Sequence, residues 1–152
     1  MKQGTKNLKW FKSANDKRCH FWLMELTDVA SDALTFNYAQ EFKANTPYII
    51  EVPGEGWGDS WKLTNKDIVF KGLNVTVPAT AFNSDNTFVG TYAPITVSGL
   101  ILDPIQNKFL FNEAGSVAAY NAYINAANNA NSMRIVIGDG EEIATGLMNV
   151  ET

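Results

Sequence analysis

Short apolar runs in period-two alternation, cut by turn residues every few positions, constrain this chain more than any other feature. Phe21-Trp-Leu-Met-Glu-Leu26 is a dense apolar run. Leu34, Phe36 and Tyr38 alternate with Thr35 and Asn37, placing the apolar set on one face of a strand. Thr46–Val52, Thr87–Tyr92, Gly99–Leu102, Lys108–Phe111 and Met133–Ile137 repeat the theme. Trp61–Leu63 is a shorter run, and Asp67–Val77 reads as a long strand bulged at Gly72. Gln106-Asn107 and Asp139-Gly140 are turn signals, as is Ser84-Asp85-Asn86.

Roughly ten short strands at 8–12-residue spacing, without intervening helical patterns, imply an all-β fold. The expected architecture is an antiparallel β-sandwich, jelly-roll or Ig-like, with at most one short helix or 3₁₀ turn. Alternation puts Phe21, Leu23, Phe36, Ile49, Trp61, Ile68, Phe70, Val75, Phe88, Tyr92, Ile101, Phe109, Phe111, Ile135 and Ile137 on the inner faces. Val117–Asn129 resists this scheme. Its alanines favour helix, yet its residues also alternate as a strand would. No Pro/Ser-rich linker divides the chain. Residues 1–20 read as a poorly defined N-terminal segment and 21–152 as a single β-sandwich domain.

At 152 residues the chain is long enough to bury a core without staples. Twelve basic against 16 acidic residues give a net charge of −4, with no basic stripe. Nucleic acid and anionic lipid need clustered Lys and Arg, so neither is an expected partner. No apolar run is long enough to span a membrane. The first twenty residues lack the apolar stretch of a signal peptide.

Catalytic and metal chemistry find little purchase. Cys19 and His20 are the only Cys and His. As neighbours on a strand they would face opposite ways. One histidine excludes a His-based metal site or triad within one chain. Asn83–Thr87 and Asp139–Glu142 are oxygen-rich but lack the full spacing of a calcium loop, so no cofactor or metal is expected. Asn74-Val75-Thr76 matches a glycosylation acceptor inside an expected strand and carries no weight.

The stretch Val52–Trp61, VPGEGWGDSW, admits a binding reading. Trp57 and Trp61 could stack on sugar faces while Glu55 and Asp59 accept from hydroxyls. Against this, Trp61 would point inward as a core residue of its strand, leaving Trp57 as the exposed ring or as an anchor over the sheet edge. Glu51, Glu55 and Asp59 are close in sequence, but nothing places them across a cleft as a glycosidase needs.

Five phrases recur in an order that resembles a known kind of module. They are FKANTPYIIEVPG (42–54), NKDIVFKGLNVTVPAT (65–80), FVGTYAPITVSG (88–99), NKFLFNEAGSVAAYNAYINA (107–126) and MRIVIGDGEEIATGL (133–147). Together they resemble a β-rich C-terminal domain of secreted or surface proteins of gut anaerobic bacteria, where it follows leucine-rich repeats or other modules. The resemblance covers about 40–147, while the region before Phe21 matches poorly. It implies that Tyr120–Asn125 is a strand. It further implies a non-catalytic module outside the cell or on its surface, serving adhesion or domain presentation. Implied partners are host or dietary glycans, surface proteins, or other domains of the parent protein. A carbohydrate-binding module using Trp57 and Trp61 is the alternative.

Overall fold

Strand β2 (His20–Val29) opens with Phe21, Trp22, Leu23 and Met24 all buried, so both of its faces are covered there. A continuous apolar run does what an alternating one cannot, because neither face has to meet water. The structure is a computed structural model and describes residues 11–14, 20–54, 59, 63, 67–77, 87–125 and 130–138. Among them are nine strands and no helix, so the fold is all-β. The chain forms two compact units. One comprises Met1–Glu25, Tyr38–Lys43 and Tyr48–Thr76; the other comprises Leu26–Asn37, Ala44–Pro47 and Val77–Thr152.

In the first unit, β1 (Phe11–Lys12) and β4 (Ile49–Glu51) both pair antiparallel with β2. Phe11 opposes Phe21, and Trp22 opposes Glu51. Phe21, Leu23 and Ala39 form the buried nucleus, with Phe11, Tyr48 and Ile68 packed against it.

The second unit carries a longer sheet in the order β3-β9-β7-β6-β8-β5. Its strands are β3 (Ala33–Tyr38), β5 (Phe88–Gly90), β6 (Ile95–Asp103), β7 (Lys108–Val117), β8 (Ala122–Ile124) and β9 (Ser132–Ile137). All of these pairings are antiparallel except β3·β9, where Leu34 and Phe36 run parallel beside Ile135 and Ile137. Phe36, Phe88 and Phe109 form the aromatic centre. Phe36 and Phe109 stack at 6.2 Å, and Phe88 meets each of them edge-on. A second cluster of Val89, Val117 and Tyr123 has Ile95, Val97 and Ile101 packed against it.

A β-bulge explains why both clusters draw on β7. The register of β6 against β7 shifts between Val97↔Gly115 and Gly99↔Asn112, which inserts an extra residue into β7. Phe109 and Val117 would share a face by simple alternation. After the bulge they lie in different clusters.

Most of the expected inner residues are inside. Phe21, Leu23, Phe36, Phe88, Phe109, Ile135 and Ile137 are buried, while Ile49, Ile68, Tyr92 and Ile101 are half-buried. Three are not inside: Phe70, Val75 and Phe111 are exposed. Phe111 pairs with Leu100 of β6 and lies one residue past the last β7·β9 pair, at Leu110, where the residue is 39% exposed. Phe70 and Val75 belong to 67–77, which is not the long strand expected. Its Val69 joins the 13–14 segment through two bonds, from Ala14 N–H and to the Ser13 hydroxyl, and its tail from Lys71 to Val77 is exposed. β-Propensity without a partner strand does not make a sheet. Trp61 lies outside the described residues.

Alanine content also misleads at 117–125. Val117 ends β7 and Ala122–Ile124 is a strand, with a turn between them and no helix. The strand meets β5 in register, Phe88↔Ile124 to Gly90↔Ala122, and long-range pairing overrides the weak local preference. The turn expected at Gln106-Asn107 is present, with Asn107 in the left-handed region at φ 51°.

Candidate functional site

Of the four expected ligand contacts, only Asp59 lies within the described residues, where it is exposed in a turn. Glu55, Trp57 and Trp61 lie outside them. The ends of that stretch are joined, since Leu63 N–H donates to the Pro53 carbonyl at 3.1 Å and both residues are buried. Cys19, Ser84–Asn86 and Asp139–Glu142 also fall outside the described residues. Among those described, no three His, Cys, Asp or Glu side chains gather as a metal site. A shallow cleft of about 320 Å³ is lined by Val29, Ser31, Thr87, Ile124 and Met133 among others, and no lining side chain is titratable.

Two aromatic features remain. In the first unit Phe42 is 57% exposed, but it stacks with Tyr48 at 5.6 Å and with Phe70 at 5.8 Å. Two stacked ring partners make Phe42 part of an aromatic packing cluster.

The second feature is a set of three loops in the second unit. Thr91 stands at its centre, directly after β5, and is only 2% exposed. Its hydroxyl donates to the Ala118 carbonyl at 2.6 Å and accepts from Asn121 N–H at 3.0 Å. Its backbone N–H donates to the Asn121 carbonyl, and its carbonyl accepts from Tyr120 N–H, each at 2.9 Å. One threonine thus holds the whole Ala118–Asn121 turn by backbone and side chain together. Ala122 N–H caps the turn by donating to the Asn121 side-chain oxygen.

The next residue, Tyr92, ties in the third loop. Its hydroxyl donates to the Asn45 side-chain oxygen at 2.6 Å. A Cβ placed on Gly90 would stand 3.7 Å from Pro47, so the Ala44–Pro47 loop lies alongside β5.

This turn presents Tyr120 in an unusual way. Its φ is 58°, in the left-handed region where an L side chain crowds its own backbone. The residue is 74% exposed, so no buried ring compensates the conformation. Asn45, on the adjoining loop, is also left-handed at φ 55°. Asn adopts that region readily; a tyrosine does so only when its surroundings insist.

The three segments read Ala-Asn-Thr-Pro (44–47), Thr-Tyr-Ala-Pro (91–94) and Ala-Ala-Tyr-Asn (118–121), and none carries a charge. Hydroxyls, carboxamides and an aromatic ring on a fixed backbone can recognise a ligand. None of the three segments contains a carboxylate, histidine, cysteine or lysine. The chain matches no family model, no curated protein and no solved structure.

Sequence reasoning missed this cluster. It placed Tyr92 on an inner face and Tyr120 on a strand. The available signal was indirect: the segments that meet here, ANTPY, FVGTY and AYNAYI, come from three of the five phrases that carry the family resemblance.

Proposed function

We propose that this chain is a non-catalytic recognition module of a bacterial cell-surface or secreted protein, serving adhesion or the presentation of neighbouring domains. The observation that carries the reading is the Thr91-clamped turn. It holds an exposed tyrosine in a costly backbone conformation, beside an uncharged loop tied down by the Tyr92–Asn45 bond. Rigid aromatic and carboxamide groups on loops above a sheet are a common solution for binding surfaces, because little conformational entropy is lost on contact. The ordered phrases that resemble surface-protein modules support the same context.

The test displays the full chain on beads and measures their retention on mucin-coated glass and on epithelial monolayers, with Tyr120→Gly beads alongside. The reading expects retention above uncoated beads and its loss in the variant. Retention equal to uncoated beads on both surfaces would overturn it.

A further inference from the structure

We propose that Tyr120 is the stacking anchor of a binding site for neutral oligosaccharides, formed by the 44–47, 91–94 and 118–121 loops. The proposal rests on the recognition reading above and names its ligand class. An exposed aromatic ring alone means little. Here the residue is 74% exposed at φ 58°, on a turn fixed by hydrogen bonds to a buried Thr91. The fold holds the ring outward in a conformation that glycine would adopt without strain.

The surroundings select the ligand. A chain with 18% charged residues carries none in these three loops. Within these three segments phosphate, sulfate and carboxylate ligands meet no cation. Neutral sugars need the opposite set: an aromatic face for their C–H groups, and short hydroxyl and carboxamide side chains for their hydroxyls. Tyr120, Tyr92, Asn45 and Asn121 supply that set.

The experiment titrates the full chain by calorimetry with cellohexaose, xylohexaose, mannohexaose and N-acetyllactosamine, with a heparin octasaccharide as the charged probe. Tyr120→Gly, Tyr120→Phe and Trp57→Ala are titrated in parallel. The expected result is saturable binding of at least one neutral probe and none of heparin. Tyr120→Gly should weaken that binding roughly tenfold or more, as loss of a central aromatic anchor does. Tyr120→Phe and Trp57→Ala should stay close to wild type. No binding of any neutral probe at millimolar concentration overturns the proposal, as does binding lost only in Trp57→Ala. If no oligosaccharide binds while bead retention still depends on Tyr120, the module recognises something other than these neutral sugars. The sugar proposal then falls and the recognition reading stands.

Discussion

The Thr91 hydroxyl lies 2.6 Å from the Ala118 carbonyl oxygen, and this contact joins the end of β5 to the turn that leads into β8. A threonine on a strand normally offers its hydroxyl to water. Here it is buried and takes the place of a backbone group, satisfying both a carbonyl and an N–H in the turn.

Thr91→Val removes the hydroxyl at nearly constant volume. It leaves the Ala118 carbonyl and the Asn121 N–H without their partner, at a cost of about 1–2 kcal/mol. Urea denaturation of Thr91→Val beside Thr91→Ser measures it. The serine variant should retain most of the stability, because it keeps the hydroxyl.

Phe36 has no exposed surface and packs against both Phe88 and Phe109. Phe36→Ala empties the centre of the second unit, and about 3–5 kcal/mol of stability should be lost. The same denaturation curves report it.

Gly99 is buried, and a Cβ there would stand 2.8 Å from the Ile124 carbonyl oxygen. That neighbour is backbone and cannot swing aside. Gly99→Ala should therefore cost about 1–3 kcal/mol through strain. Gly54 has nothing within 4 Å of its would-be Cβ. Gly54→Ala is the matched control, expected within about 0.5 kcal/mol of wild type. Thermal melts of the pair separate crowding from the general effect of adding a methyl group.

Val75 was expected inside a bulged strand and is 68% exposed. Val75→Ser should change stability by less than about 0.5 kcal/mol. A loss of several kcal/mol, read by urea denaturation, would instead place it in a core.

The alternating runs were legible because each strand's pattern depends on burial of one face. Phe36, Ile135 and Ile137 fall on that face without knowledge of their neighbours. Legibility ends where a partner decides. Phe111 has the same pattern as Phe109, yet Phe109 is buried and Phe111 is exposed, because alternation names a face and not how far its cover extends. Val117 changes cluster because of a bulge that no single residue announces. Val75 has the right propensity with no ladder to join. The loop cluster was hidden for a related reason. Thr91 gains its role from Ala118 and Asn121, some thirty positions away. Nothing in the phrase AAYN marks its tyrosine, rather than its asparagine, as the left-handed residue. The stretch from Glu55 to Trp61 is conspicuous in sequence for its tryptophans, but of its expected contacts only Asp59 lies among the described residues.

Stability and bead retention measured together on Tyr120→Gly separate a folding role of this residue from a recognition role. A residue selected for folding should destabilise when removed; one held in strain for recognition should not. Tyr120→Gly should be more stable than wild type by about 1 kcal/mol, through relief of the left-handed backbone, while retention on mucin falls to that of uncoated beads. A variant that is less stable than wild type and retained as well as wild type would contradict the recognition role.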